Sequence, residues 1–368
     1  MELKPHQVEG VRELLGGKSL LADDMGTGKT LQALTVAKAI GGKILVICPG
    51  VVKENWAQEA CQVGFQRPWV INGRTTVLDA WGADLGIINY EVLPAWGSYF
   101  ENFVGTWDLL VLDEAHRVCN PETQAYQTIH DLRRKRMIAL TGTPILNRVE
   151  ELSVLLGLLE PHTDLTYREL LKKHMVRRTG IVQLPPLTRI LVENVGDKFR
   201  WLRKHVSANP GSKRIIFTLH RACSNQVLAD LSGYKNLLMD GRTANKQIIS
   251  DLWKTGNYDN LVCQMVAGGV GWNGTTAQEV IFMELPWNPA GLWQCEGRIK
   301  RIGQTKPMKS YVLVGVQEAR RGWRPGDDRM YKMLQRKTKI FDRIIGCSPG
   351  NGFKGFWASI LGAMFPDS

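Results

Sequence analysis

Short apolar runs rich in Val, Ile and Leu recur along this chain between longer amphipathic stretches. Runs of this length that alternate with helical patterns are typical of buried parallel strands, because such strands pack apolar side chains on both faces of a sheet. The pattern stops after residue 140 and restarts at residue 214, so the sequence predicts two α/β lobes in tandem. The predicted strands are 19–22, 44–48, 85–88, 109–112 and 137–140, then 214–218, 236–239, 261–265, 280–283 and 311–314.

The length agrees with two domains, since 368 residues exceed one typical domain and allow each lobe its own core. Prolines and a basic stretch break the strand pattern between the lobes, and the amphipathic stretch 327–345 is predicted to be a helix that closes the second lobe. The predicted division is 1–165 for the first lobe, 166–190 for a linker, 191–345 for the second lobe and 346–368 for a tail without an assigned role.

The composition points to a reduced compartment and a polyanionic partner. Lys and Arg total 47 against 35 Asp and Glu, and the resulting net charge of +12 attracts nucleic acid, although such a charge also simply keeps many proteins soluble. The 7 cysteines are scattered, without a C-x-x-C pair. No signal core or run of about 20 apolar residues is present. We therefore expect a soluble, intracellular protein of the cytoplasm or nucleoid, with no membrane partner.

The segment after the first predicted strand has the order of a phosphate-binding P-loop. Gly26, Thr27 and Gly28 are expected to turn backbone N–H groups toward phosphate oxygens at the start of a helix. Lys29 is expected to reach the β- and γ-phosphates, and Thr30 to place its hydroxyl on Mg²⁺. The segment predicts ATP binding if a partner motif is present.

A second motif supplies that partner. The P-loop departs from the consensus at Asp23, where the first glycine is usual, so the P-loop alone does not establish nucleotide binding. The strand 109–112 delivers Asp113 and Glu114 at its carboxyl end, where α/β proteins bind ligands. Asp113 is predicted to hold Mg²⁺, and Glu114 to orient and deprotonate the attacking water. An acidic turn after a core strand is the alternative, and the P-loop upstream argues against it. The two motifs together predict a P-loop NTPase that uses ATP and Mg²⁺.

The second lobe contributes a pair of arginines. Residues 294–301 have the form Q-x-x-G-R-x-x-R, and the spacing of three puts Arg298 and Arg301 on one face of a predicted helix. Both can then reach one phosphate group, where an arginine stabilises the charge of the transferring phosphoryl group. A solvated basic helix is the alternative.

In their order and composition these motifs resemble those of the Swi/Snf-type ATPases, DEAH-box members of helicase superfamily two. The segments that carry the resemblance are 22–30, 113–116, 140–144, 287–289 and 301–304. The match spans residues 3–346, and Met-Glu-Leu-Pro-Trp-Asn-Pro resembles the annealing-helicase branch. The resemblance implies an α/β fold of two tandem RecA-like parallel-sheet lobes, and a DNA-dependent ATPase that translocates along DNA as the lobes close and open around ATP.

The resemblance also implies roles for individual residues. Gln7 would read the adenine edge, with a surface helix cap as the alternative, and His116 would link the ATP site to the facing lobe. Residues 141–143 would couple hydrolysis to nucleic-acid binding, although their hydroxyls could equally cap a turn. The glycine loop 267–273 would approach DNA phosphate or the nucleotide ribose. Trp272, Gly297 and Glu284 stand where the family usually has leucine, aspartate and aspartate.

The implied partner is duplex or branched DNA, with DNA repair among the pathways that suit such a motor. The basic clusters 133–136, 172–178 and 320–321 could line a phosphate track or be solvated surface. The short stretch 145–212 lacks the bulky insertion of chromatin remodellers, which argues against nucleosome remodelling. An RNA helicase of the same superfamily, a nuclease subunit and a non-hydrolysing nucleic-acid scaffold are the alternatives. Intact Lys29, Glu114, Arg298 and Arg301 argue against the scaffold.

Overall fold

The computed structural model describes residues 2–75, 83–142, 149–161, 163–243, 245–265, 272–315 and 327–345. The chain divides into two compact units, residues 1–181 and 182–368. Each unit is built on one parallel sheet with helices in the crossovers, which confirms the predicted fold class of two tandem α/β units.

The first unit contains a seven-stranded sheet whose strands lie in the order β3-β4-β2-β5-β6-β1-β7. The strands are β1 (Leu20–Leu21), β2 (Ile44–Cys48), β3 (Pro68–Val70), β4 (Leu85–Asn89), β5 (Leu109–Asp113), β6 (Met137–Leu140) and β7 (Met175–Val176). The α-helices are α1 (Pro5–Leu15), α2 (Lys29–Ile40), α3 (Lys53–Val63), α4 (Leu93–Tyr99), α5 (Gln124–Asp131), α6 (Val149–Leu159) and α7 (Tyr167–His174). The five strands predicted for this lobe are confirmed; β3 and β7 were not predicted, because two or three residues are too few to show a pattern.

The second unit contains a six-stranded sheet with the order β10-β11-β9-β12-β13-β8. Its strands are β8 (Leu187–Val195), β9 (Arg214–Thr218), β10 (Asn236–Met239), β11 (Asn260–Gln264), β12 (Glu279–Phe282) and β13 (Met308–Gly315). Its α-helices include α8 (Lys198–Ala208), α9 (Arg221–Asp230), α10 (Lys246–Thr255), α11 (Pro289–Glu296) and α12 (Asp327–Ile345). The five strands predicted here are confirmed, and α12 spans the residues predicted for a closing helix.

The predicted linker 166–190 needs correction, because most of it is regular structure. Helix α7 begins with a capping box in which Thr166 and Glu169 bond each other's backbone N–H, and β7 pairs with β1. Strand β8 begins at Leu187, after the two prolines, and pairs with β13. The break in the strand pattern was real, but a capped two-turn helix and a two-residue strand lie inside it. The predicted tail, 346–368, lies outside the described residues.

The central strands form the core of each unit. Every residue of β2, β4, β6 and β9 is buried, as expected for parallel strands covered on both faces. In the second unit, helices α8 and α9 pack Leu202, Val206 and Val227 against strand residues such as Ile216 and Val262. None of the helices in the described part of the chain has the length and apolar character needed to cross a membrane.

Candidate functional site

Three neighbouring strands of the first sheet bring the predicted motifs to one edge. Strands β5, β6 and β1 lie side by side and are parallel, so their carboxyl ends meet. The P-loop (residues 23–30) follows β1, the acidic pair 113–114 ends β5, and residues 141–142 follow β6. This carboxyl edge is where ligands bind in open α/β sheets. Sheet topology thus gathers motifs that are far apart in the sequence.

The P-loop has the conformation that its glycines suggest. Gly26 has φ 77°, and Gly28 lies in the left-handed region with φ 80° and ψ 42° as the N-cap of α2. Helix α2 begins at Lys29, with Thr30 as its second residue, so the loop delivers both side chains at a helix N-terminus. Thr27 is buried, and its Oγ1 donates to the Asp24 carbonyl over 2.8 Å.

Lys29 is held on the backbone of its own loop. Its Nζ donates to the carbonyls of Asp23 over 2.8 Å and Asp24 over 3.0 Å. Burial lowers the pKa of this lysine, and the charges of surrounding carboxylates, Glu114 first among them, oppose that shift. The ammonium is therefore positioned beside the acidic pair at the end of β5.

Asp113 is fixed by two donors. Trp56 Nε1 donates to its Oδ2 over 2.9 Å, and the Glu114 N–H donates to its Oδ1 over 2.9 Å. Burial, and secondarily the charge of Glu114, raises the pKa of Asp113 to about 7. A nearby cation would favour the ionised form of this half-buried carboxylate.

Glu114 combines an unusual backbone with an available acceptor. Its φ of 50° places it in the left-handed region, where non-glycine residues are rare and strained. Its Oε2 is buried and accepts no hydrogen bond from the residues that the structure describes. That oxygen lies 3.4 Å from His116 Nδ1. A buried oxygen with no donor is suited to accept a proton from water.

His116 connects the acidic motif to the end of β6 within the first unit. Its Nδ1 lies 3.2 Å from Thr141 Oγ1, and burial lowers its pKa to about 4, so the ring is neutral at pH 7. A Cβ on Gly142 would lie 2.7 Å from Met25 Cγ and 3.6 Å from Lys29 Nζ, so the missing side chain leaves room for the side chains of the P-loop. Thr143 and Pro144 of the predicted coupling motif lie outside the described residues.

Gln7 lies against the P-loop backbone. Its Nε2 donates to the Thr27 carbonyl over 3.1 Å, and its Oε1 accepts from the Lys4 N–H over 2.9 Å. A Cβ on Gly28 would collide with this amide. The predicted adenine reader is therefore buried and supports the loop that precedes Lys29.

The two arginines of the second unit come together, but not on a helical face as predicted. Helix α11 ends at Glu296, and Arg298 and Arg301 lie in the turns that follow. Gly297 is the C-cap, and the Arg298 N–H bonds the carbonyl three residues back, which tightens the chain and ends the helix. Both side chains nevertheless reach the Trp272 carbonyl, from Nη1 atoms at 3.2 Å and 3.0 Å. The glycine-loop residues 267–271 lie outside the described residues.

Comparison with known proteins supports the interpretation of both units. Residues 6–178 match the SNF2-related domain family, and residues 197–303 match the helicase conserved C-terminal domain family. The chain belongs to the SNF2-related family of ATP-dependent, helicase-like enzymes. The resemblance to Swi/Snf-type ATPases that the motifs predicted is confirmed.

Relatives of this SNF2-related chain include an uncharacterized ATP-dependent helicase, YqhH, of Bacillus subtilis, which is 24% identical over 93% of this chain and 79% of its own length. The SWI/SNF-related matrix-associated actin-dependent regulator of chromatin subfamily A-like protein 1 of Xenopus tropicalis is 25% identical over 95% of this chain. This chain covers only 45% of that protein. Among solved structures, the Sulfolobus solfataricus SWI2/SNF2 ATPase core in complex with dsDNA matches 94% of this chain and 93% of its own, with 23% identity and a TM-score of 0.46.

The predicted basic clusters of this SNF2-related chain are divided: Arg134, Arg177 and Arg178 bind protein acceptors, whereas Arg133, Lys135, Lys172 and Lys173 are exposed. Arg134 donates to backbone carbonyls of residues 129, 130, 132 and 158. Arg177 donates to the Ala22 carbonyl over 2.8 Å, and Arg178 pairs with Asp23 of the P-loop. Residues 320–321 lie outside the described residues.

Sequence reasoning missed three residues that support the site. Trp56 binds Asp113, the Tyr90 hydroxyl donates to the Asp113 carbonyl over 2.7 Å, and Arg178 binds Asp23. One signal was present for Arg178. An acid in place of the first P-loop glycine needs a positive partner when buried, and Asp23 is fully buried. No comparable signal distinguished Trp56 or Tyr90 from ordinary core aromatics.

Proposed function

We propose that this chain is a DNA-dependent ATPase that uses hydrolysis to translocate along duplex or branched DNA. The observation that carries the proposal is the convergence of Lys29, Asp113 and Glu114 at one sheet edge, with a Glu114 oxygen that lacks a donor among the described residues. Family membership supports ATP as the substrate.

The residues of the first unit suit ATP and Mg²⁺. The N-terminus of α2 and Lys29 would bind the phosphates, while Thr30 and Asp113 would hold Mg²⁺. A cation there would neutralise negative charge on the phosphates and favour the ionised form of Asp113. Glu114 would orient the attacking water and accept its proton. Gln7 would hold the loop and offer its amide toward the adenine.

Arg298 and Arg301 are the proposed arginines that stabilise charge on the transferring phosphoryl group. Their convergence on one carbonyl supports this role, because two guanidinium groups held at a single point can act on a single phosphate group. Arg298 and Arg301 lie in a turn and not in a regular helix, so the turn, and not the repeat of a helix, sets the distance between their side chains.

DNA as the partner is supported by the net charge of +12, and by the Xenopus relative, which is named as a regulator of chromatin. Contacts through phosphates predict little sequence preference and an affinity that falls with salt, because each neutralised phosphate releases counterions. An RNA duplex offers a different phosphate spacing and 2′-hydroxyls. We therefore expect DNA to stimulate hydrolysis more than RNA does.

The test is steady-state ATP turnover with single-stranded, duplex and forked DNA and with matched RNA, each at two salt concentrations. We expect duplex or forked DNA to give the largest stimulation, and the half-saturating DNA concentration to rise at the higher salt. Lys29→Ala purified in parallel is the control for contaminating ATPases. Stimulation by RNA alone, or none by DNA at low salt, would support an RNA helicase and contradict the proposal.

A further inference from the structure

Two arginines flank the peptide that joins the units, and each binds a carboxylate in a candidate catalytic element of its own unit. Arg178 lies three residues before the end of the first unit, and Arg189 lies in β8, the strand that opens the second sheet. Arg178 binds Asp23 of the P-loop, and Arg189 binds Glu296, the last residue of α11. Both are two-point contacts of the kind that fix geometry as well as charge.

Every N–H of the Arg178 guanidinium has an acceptor. Nε and Nη2 donate to Asp23 Oδ1 and Oδ2 over 3.2 Å and 2.5 Å, and Nη2 also donates to Gln32 Oε1 over 3.1 Å. Nη1 donates to the His6 carbonyl over 2.5 Å and to Glu9 Oε2 over 3.3 Å. One side chain thereby joins α1, the P-loop and α2. An ammonium group cannot reproduce five donors in one plane.

The Arg178 contact leads directly to Lys29. The carboxylate of Asp23 is fixed by Arg178, and the carbonyl of the same residue accepts from Lys29 Nζ over 2.8 Å. The backbone N–H of Arg178 also donates to Asp23 Oδ1, over 2.9 Å. A Cβ on Gly10 would lie 2.5 Å from Arg178 Nη2, so a glycine in α1 makes room for the guanidinium. A shift of Arg178 would therefore move the carbonyl that holds the catalytic lysine.

Arg189 acts on the second unit in a comparable way. Its Nε and Nη2 donate to Glu296 Oε1 and Oε2 over 2.7 Å and 2.5 Å, and Ser310 Oγ donates to the same Oε1 over 2.8 Å. Glu296 is buried, and its carbonyl accepts from the N–H groups of Ile299 and Lys300, within the turn that carries Arg298 and Arg301. The pair fixes the residue from which that turn starts.

We propose that Arg178 and Arg189 are positioning residues for ATP turnover, the first for the P-loop and the second for the arginine turn (residues 297–301). The inference rests on the proposed ATP hydrolysis. Since 178 and 189 bracket the peptide between the units, that peptide is tied at both ends to a phosphate-contacting element. The two arginines differ in what they position, so they differ in which kinetic constant they affect.

Arg178→Lys tests the first half, because it keeps the charge near Asp23 and removes the fork. We expect the Kd for a fluorescent ATP analogue and the KM for ATP to rise about tenfold, with kcat close to wild type. Arg134→Lys is the matched control, since Arg134 also donates several hydrogen bonds in the same unit but lies away from the P-loop. An equal change of Kd in both variants, or no change in Arg178→Lys, would overturn this half.

Arg189→Lys tests the second half. We expect kcat to fall about tenfold while the Kd for the ATP analogue stays unchanged, because the arginine turn acts on the transition state. Arg214→Lys is the matched control, since Arg214 is buried and pairs with Glu279 in the same sheet without contacting the arginine turn. A normal kcat in Arg189→Lys, or an equal loss in Arg214→Lys, would overturn it.

The measurements separate this inference from the proposed function. If wild-type protein binds the analogue but hydrolyses no ATP, the proposed function fails, while the Kd of Arg178→Lys still decides the role of Arg178. If Arg298→Ala and Arg301→Ala keep a normal kcat, the arginine turn has no catalytic role, and the Arg189 half fails with it. Thermal unfolding of each variant and its control shows whether a loss of activity is explained by a loss of folded protein.

Discussion

Trp56 donates a hydrogen bond from its indole Nε1 to Asp113 Oδ2 over 2.9 Å. The contact joins a fully buried side chain of α3 to the carboxylate at the end of β5. Burial raises the pKa of Asp113 to about 7, and this hydrogen bond opposes the rise by stabilising the ionised form. Trp56 therefore helps to keep Asp113 ionised near neutral pH.

Trp56→Phe is expected to weaken Mg²⁺ binding at pH 7. Without the indole donor the pKa of Asp113 rises further, so less of the carboxylate is ionised, and a metal ligand must be deprotonated. The Mg²⁺ concentration for half-maximal hydrolysis should rise about tenfold at pH 7 and approach wild type at pH 8.5. Trp96→Phe is the control, because Trp96 is equally buried and donates to the Gly73 carbonyl. Equal Mg²⁺ curves for wild type and Trp56→Phe would contradict the assignment of Asp113.

Glu114→Gln is expected to bind ATP and fail to hydrolyse it. The amide keeps the shape of the side chain but cannot accept the proton of the attacking water, which should lower kcat by about 10²-fold or more. Lys29→Ala should instead lose ATP binding, since the phosphates lose their positive point charge. Equilibrium binding of a fluorescent ATP analogue and the rate of phosphate release distinguish the two. Near-normal turnover in Glu114→Gln would remove its role as general base.

Arg301→Lys is expected to be as defective as Arg301→Ala. An ammonium does not reproduce the planar fork that a guanidinium presents to phosphate oxygens, and an arginine in this role contributes about 10³ to 10⁵ in rate. Single-turnover hydrolysis measures the effect without product release. Arg200→Lys, on the exposed face of α8, is the control for an ordinary surface arginine. Normal turnover in both Arg301 variants would make the turn a structural feature only.

The stability of the first unit should fall as the pH drops below about 6.5, in part through His116. Burial lowers the pKa of folded His116 to about 4, so between these values the unfolded chain binds a proton that the folded chain does not. The free energy of unfolding should therefore decrease by about 2 kcal/mol from pH 7 to pH 5 on account of this residue. Urea unfolding of wild type and His116→Asn at both pH values isolates the contribution. Equal pH dependence in the two proteins would show that His116 is accessible to protons when folded.

The sequence determined the class of fold and the candidate residues of the first unit. Apolar runs such as Ile44–Cys48 and residues 215–217 form strands where the pattern predicts, because a strand buried on both faces carries apolar side chains at successive positions. The P-loop and the acidic pair were equally readable, since their chemistry depends on neighbours in the chain. Short elements such as β7 left no pattern to read.

The tertiary structure decided how those residues are held. Helical spacing suggested that Arg298 and Arg301 share a helix face, but the helix ends at Glu296 and the two meet through a common carbonyl. The sequence predicted a phosphate track or solvated surface for the basic run 172–178. Arg178 of this run instead binds Asp23, which lies 155 residues earlier in the chain. Local sequence shows secondary-structure propensities and motifs, whereas the spacing of residues in the sequence does not show which side chains the sheet topology brings into contact. A charged side chain that is buried requires a partner of opposite charge, but only the folded chain shows which residue provides it.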